Sequence, residues 1–181
     1  MTYCETVTLR DGRFCLLRSA GEDDARAVLD CFELTHEETD YLLTYPGEMS
    51  VNEEREREFL REREQSPGAL ELLALVDGRV VGTAGIDAVG TREKLKHRAS
   101  LGVSVEKAFW SLGIGRALLR GCVACAKRAG YAQLELEAVA ENGRALSLYE
   151  SEGFTEYGRN PLGFRTRGGA WQELVLMRLP L

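Results

Sequence analysis

The chain has 181 residues, of which 44% are apolar and 29% charged, with five cysteines and a formal net charge of −6. Such a composition fits one soluble globular domain over 1–181 and excludes fibrous, low-complexity and disordered classes. The negative balance speaks against nucleic acid as the main partner, since neutralising phosphates takes a basic surface, and suits a cationic partner better.

The opening residues, Met1-Thr2-Tyr3-Cys4-Glu5, lack the basic start and apolar core of a leader, and no later run reaches the roughly 20 apolar residues of a membrane span. A cytoplasmic protein with no membrane partner is therefore expected. Behind the Asp11-Gly12 turn, residues 13–18 read as a first strand. A helix follows, with Glu22, Asp23 and Asp24 favourable to its dipole and Ala27, Val28, Cys31, Phe32 and Leu34 at helical spacing. Residues 39–47 break that pattern and read as a loop. From 52 to 64 nearly every residue is Glu or Arg, which predicts a thinly buried helix supported by pairs such as Glu53 and Arg57 and anchored by Phe59-Leu60. The apolar runs 70–76 and 80–88 flank Asp77-Gly78-Arg79, a hairpin signal, and 98–105 reads as a third strand.

Ile114, Ala117, Leu118, Cys122, Cys125 and Ala129 trace one face of the next helix, which Gly130 ends. The strand at 134–138 is expected parallel to its predecessor because a helix connects the two. A further helix covers 142–152, and 154–157 with 171–177 form an end hairpin whose longer turn passes through 160–164. This order predicts an α/β (α+β) fold, a mixed and mostly antiparallel sheet of about seven strands with helices on both faces. Cys4, Cys15, Cys31, Cys122 and Cys125 fall mostly inside apolar patterns, as reduced core thiols do. Cys122-x-x-Cys125 lies in mid-helix, away from the N-terminal position that activates a redox thiol, and no metal site is expected.

Trp110-Ser111-Leu112-Gly113-Ile114-Gly115-Arg116-Ala117 leads from a strand and turn into a helix start. Its two glycines let the backbone approach a ligand closely, and the free amides there suit a pyrophosphate. Alone, G-x-G is equally a structural turn. Asn142 and Tyr149, seven apart, share one helix face roughly 10 Å along the axis and are placed to grip an extended ligand.

Together these residues resemble the GNAT N-acetyltransferase family. Its pattern of a strand, [R/Q]-x-x-G-x-[G/A], a helix, a strand, then N-x-x-A-x-x-L-Y-x-x-x-G-F is matched by Val103-Ser104-Val105, Gly113, Gly115, Asn142, Ala145, Leu148-Tyr149 and Gly153-Phe154, and the element order agrees from Phe14 to Met177. One position departs: Trp110 stands where the family usually has Arg or Gln, although an amide cradle does not depend on that side chain. The resemblance implies acetyl-coenzyme A as cofactor and transfer of its acetyl group to a primary amine, of a small molecule or of a protein. It also implies a central splayed parallel pair, here 101–105 and 134–138, whose first strand holds the pantetheine arm through main-chain groups of Val103, Ser104 and Val105. Tyr149 would then protonate the leaving thiolate, its ordinary pKa of about 10 keeping it a donor near neutrality.

For the base, Glu137 resembles the glutamate of ribosomal-protein acetyltransferases, while Glu135, His97 and an ordered water stay open. The acceptor is expected between the first helix with its loop (Glu33, Glu37, Glu38, Tyr41, Tyr45) and the final hairpin (Phe164, Arg165, Arg167, Trp171), whereas His36 reads as a surface residue. A homodimer is an open alternative to a monomer. A non-catalytic acyl-coenzyme A sensor is the competing reading; it could dispense with Tyr149 and a base.

Overall fold

A computed structural model describes residues 1–48 and 51–181. Its eight strands are β1 (Cys4–Thr8), β2 (Phe14–Ser19), β3 (Leu70–Val76), β4 (Arg79–Ala88), β5 (Arg98–Val105), β6 (Gln133–Val139), β7 (Thr155–Arg165) and β8 (Trp171–Pro180). Its four helices are α1 (Ala25–Glu37), α2 (Glu53–Gln65), α3 (Ile114–Arg128) and α4 (Gly143–Ser151). The strands form one sheet in the order β1-β2-β3-β4-β5-β6-β8-β7. β5 and β6 run parallel, and the other neighbours run antiparallel. The expected mixed sheet and parallel pair are therefore present.

Two details differ from the sequence reading. The eighth strand, β1, is a polar edge whose Val7 alone is half-buried, so its side chains give no apolar alternation to detect. Long-range contacts fix it instead: Tyr3 N–H donates to Ser19 Oγ at 2.9 Å, and the Met1 ammonium donates to Ser66 O at 3.0 Å. Residues 160–164, expected as a turn, lie inside β7, where the register slips between Asn160 and Phe164. Pro161 lacks an N–H, and an edge-strand bulge is where a sheet tolerates it. The chain reverses later, with Thr166 N–H donating to Ala170 O at 2.9 Å and Gly169 at φ +87°.

The two faces of the central strands differ. Leu70, Leu72, Ala84, Ile86, Ala99, Leu101, Leu134 and Leu136 pack with Ile114, Leu118, Cys122 and Cys125 of α3 into the main core. Burial pushes the Cys122 thiol well up, which fits an inert core thiol. Across the sheet, Leu73 and Val80 join Ala25, Val28 and Cys31 of α1 and Leu60 of α2 in a smaller cluster. α2 is capped by Asn52, whose side chain accepts the Arg55 N–H at 2.9 Å, and Glu53 pairs with Arg57 at 2.7 Å as expected. No helix among the described residues is long and apolar enough to cross a membrane.

Candidate active site

Pairing between β5 and β6 is limited to Arg98 with Gln133, Ala99 with Leu134 and Ser100 with Glu135. Beyond those pairs the strands part, opening a gap along the second half of β5. The orientation of β5 main-chain groups follows from its contacts with β4. Glu106 N–H donates to Val81 O at 2.9 Å and Val89 N–H to Arg98 O at 3.0 Å, so even-numbered residues of β5 bond to β4. Alternation then turns the main chains of Leu101, Val103 and Val105 toward the gap, with that of Ser104 bonded to β4. The Val105 carbonyl is taken by Trp110 Nε1–H at 2.6 Å. Trp110, the residue that departs from the family pattern, thus closes the end of the gap, and Arg144 lies over its ring at 4.2 Å.

Next to the gap the chain makes the expected turn into α3. Gly113 is its N-cap at φ +104°, a left-handed conformation that costs a side chain about 1–2 kcal/mol. Gly113→Val is accordingly expected to lower stability by about 1–2 kcal/mol in a urea melt. Ser111 also has positive φ, +64°. Among the described residues, the N–H groups of Ile114, Gly115 and Arg116 have no protein acceptor, and Ala117 N–H is the first to bond back, to Gly113 O at 3.1 Å. The turn is therefore open to an anion. It is braced from outside: Arg10 N–H donates to Leu112 O at 3.1 Å and Arg10 Nη1 to Ser111 O at 3.1 Å. Arg116 Nη2 donates to Ser151 Oγ at 3.0 Å, tying α3 to α4.

α4 begins one residue later than expected, because Asn142 is its N-cap and accepts the Ala145 N–H through Oδ1 at 3.2 Å. Its amide nitrogen is left for other partners. Tyr149, one face along, is 8% exposed and tilted against Phe154 at 5.9 Å. Burial pushes its phenol up to about 12, and no protein partner for its hydroxyl is found among the described residues.

The base candidates separate. Glu135 is clamped by Arg98, with one contact at 2.7 Å, and this guanidinium holds its carboxyl below the usual range. Glu137 is exposed on the same face of β6, beyond the last β5–β6 pair. His97 stands before the paired end of β5, roughly 20 Å of strand from Val103.

A cavity of about 800 Å³ lies on the other side of β5 from α3, between α1, α2 and the sheet. It exists because Thr83, Gly85, Ser100, Gly102 and Ser104, which floor it, are all small. Val28, Leu29, Phe32, Leu42, Leu43 and Phe59 supply apolar wall, and Glu33 alone of the acidic α1–loop residues named from sequence lines it. Tyr45 and Arg167 instead clasp the α1–α2 loop to the final hairpin, with Arg167 N–H donating to Tyr45 Oη at 3.1 Å. His36 corrects the sequence reading: it is buried rather than superficial, stacks on Phe32 at 3.8 Å, and lines the cavity. Burial lowers its pKa and its Nδ1 sits 2.7 Å from Phe32 O, so the neutral ring donates from Nδ1. The sequence reading also missed Arg144, Arg10, Glu56 and Glu71. For Glu71 a signal was present, a single carboxylate inside Leu70-Glu71-Leu72-Leu73-Ala74.

A sequence profile described as the acetyltransferase (GNAT) family matches residues 30–154, a stretch that runs from α1 through the open turn to Phe154. The chain belongs to this family. Among curated GNAT relatives, an L-amino acid N-acetyltransferase of Escherichia coli K12, AaaT, is 33% identical over 89 residues, 49% of this chain and 54% of that protein. The [ribosomal protein bS18]-alanine N-acetyltransferase of the same strain is 32% identical over 91 residues, 50% of this chain and 61% of that protein. The chain thus spans little more than half the length of the curated relatives it matches. A GNAT-family acetyltransferase from Streptococcus pneumoniae superposes with a TM-score of 0.89 at 26% identity, covering 92% of this chain and 99% of that one. YncA of Salmonella typhimurium, solved with acetyl-CoA, shares the fold with a TM-score of 0.81 at 22% identity over 91% of this chain and 92% of that one.

Proposed function

We propose that this chain is one catalytic domain that transfers the acetyl group of acetyl-CoA directly to a primary amine. The observation that carries the reading is the free amides at the start of α3, beside β5 main-chain groups that β6 leaves unpaired among the described residues; Tyr149, whose hydroxyl has no protein partner among them, lies on the helix that packs on α3. Each fits one part of the cofactor. The turn 110–117 presents donors to the diphosphate, with open space beside Gly113, where a Cβ would meet nothing within 4 Å. Val103 and Val105 offer main-chain groups to the amide-bearing pantetheine arm as an added strand would, and Asn142 and Ala145 border it from α4.

The acetyl group supplied by this thioester is attacked by the neutral amine. The residues of the chain then have three tasks: accept a proton from the ammonium, donate to the carbonyl oxygen as charge develops, and return a proton to the departing sulfur. A gap-facing N–H of Val103 or Val105 suits the second. Tyr149 suits the third, because a phenol held at about 12 stays protonated throughout the neutral range. Glu137, at the mouth of the gap, is a carboxylate from which an acceptor ammonium gains attraction.

The acceptor reaches β5 through the cavity, which Gly102, Val103 and Ser104 share with its wall. A small amine or a chain terminus fits its size. The test is an amine panel containing the L-amino acids and an alanine-headed peptide, reading free thiol and product mass together. Turnover with matched acetylated product is the expected result. Cofactor binding without turnover on any amine would instead favour an acyl-CoA sensor.

A further inference from the structure

Glu71 is the one acidic side chain that β3 turns into the cavity, and that side chain is 13% exposed. It stands opposite Gly85 of β4, where a Cβ would come to 2.9 Å from Glu71 Oε2. The glycine is thus what makes room for the carboxylate. Arg63 is close, with Nε 3.8 Å from Glu71 Oε2, but its other nitrogens are spent on Leu70 O, Ile86 O and Asp87. Its Nε is left without any hydrogen bond among the described residues. The carboxylate is therefore neutralised only in part, and the neighbouring Glu56 is 9% exposed and lines the same cavity with no side-chain partner among the described residues.

A hydroxyl path leads from this carboxylate toward the acetyl-transfer edge. Thr83 stands diagonally across the β3–β4 ladder from Glu71 on the same face and is among the groups that pull its carboxyl down, and Thr83 Oγ1 lies 3.3 Å from Ser104 Oγ on the neighbouring strand. Thr83 and Ser104 stand directly opposite each other, both facing the cavity. Ser104 lies between Val103 and Val105, whose main chains face the gap.

We propose that Glu71 is the terminal base of a Ser104–Thr83–Glu71 relay that takes the proton from the acceptor ammonium at the cavity's β5 end. This rests on the acetyl-transfer reading above and names the group that activates its acceptor. The proton balance closes. The ammonium gives a proton to Ser104 Oγ, Ser104 passes its own to Thr83, and Thr83, turning its hydroxyl onto its diagonal neighbour, passes its own to the Glu71 carboxylate. The freed amine bonds the acetyl carbon, the carbon–sulfur bond breaks, and the remaining amine proton reaches the thiolate by way of Tyr149. Glu71 then returns its proton to water.

The surroundings support a base tuned to neutrality. Burial is the largest influence and pushes the Glu71 carboxyl up to about 7; Arg63 and Thr83 pull it down, and Glu56 and Asp87 push it up. Cys31 on α1 and Cys122 on α3 also feel its charge, both raised by burial and neutral at pH 7, and Arg26, Asp30, Glu33 and His36 of α1 with Glu53 and Arg55 of α2 line the same cavity. A carboxyl raised from its unfolded value near 4.5 makes the folded state lose stability as pH rises from about 4.5 to about 7. Glu71→Gln is therefore expected to melt higher than wild type at pH 8, with the difference shrinking toward pH 5.

The decisive experiment follows kcat/KM against pH with the best amine of the panel. Wild type is expected to rise as pH passes about 7, where the base loses its proton, and Glu71→Gln to lose that limb with a ~10²-fold lower rate at pH 8. Thr83→Val, isosteric but without the hydroxyl, is expected to fall comparably and Thr83→Ser to recover. Acetyl-CoA affinity by calorimetry is expected unchanged in both Glu71→Gln and Thr83→Val. A limb retained in Glu71→Gln but lost in Glu137→Gln would overturn the assignment, and wild-type turnover in Thr83→Val would overturn the relay. Absence of turnover in wild type would instead sink the acetyl-transfer reading, so the two failures are distinct.

Discussion

Gly115→Glu is expected to abolish acetyl-CoA binding while leaving the fold intact. A Cβ at this position meets only Leu148 Cδ2, at 3.4 Å, an ordinary contact, and the backbone is helical, so the protein accommodates a side chain. What the side chain obstructs is the space in front of the free amides of Ile114, Gly115 and Arg116. A glutamate there fills that space and places a negative charge against a diphosphate, reversing the attraction of the helix start, which in its favourable sense is worth about 0.3–2 kcal/mol. Calorimetry reads the loss directly and a thermal melt checks the fold. Wild-type affinity in the mutant would place the diphosphate elsewhere.

Tyr149→Phe is expected to lower kcat by roughly 10²-fold with little change in acetyl-CoA affinity, the loss of a positioned proton donor. The aromatic body is retained, so its packing on Phe154 survives and stability changes little. The pH profile discriminates further. Because burial raises this phenol to about 12, wild type should show no falling limb from Tyr149 below about pH 10. Equal kcat in the mutant would reduce Tyr149 to a packing residue, and a parallel loss of affinity would make it a cofactor contact.

The open turn and the helix from Asn142 to Tyr149 were legible because they are local. Gly113, Gly115, Asn142 and Tyr149 lie within short, ordered stretches, and the glycines signal their own backbone requirements. Helix and strand order followed from apolar periodicity for the same reason. β1 was invisible because an edge strand with one half-buried side chain carries no alternation, and the reversal after β7 was misplaced because Asn160-Pro161 imitates a turn.

The cavity was poorly legible because it is assembled across elements far apart in the chain. Phe32 and His36, four apart on α1, form a local stack that helical spacing allows, but the cavity they line is closed by β4, β5 and α2. Glu71, Thr83 and Ser104 become neighbours only through the β3–β4–β5 register, and the space they face is defined by side chains that are small or missing. Trp110 showed the opposite case: a departure from the family pattern that the fold explains, since its indole closes the Val105 carbonyl.

Thr83, Gly85, Ser100, Gly102 and Ser104 share their strands with Ala84, Ile86, Ala99 and Leu101, yet look the opposite way. Selection can therefore edit the two sides separately. Adding a methyl or two at Gly102, where a Cβ meets nothing within 4 Å, would narrow the cavity without disturbing the layer that supports α3. On the acetyl-transfer reading, the cavity can be reshaped at Ser100 and Gly102 while Thr83, Gly85 and Ser104 are held by the proton path they serve.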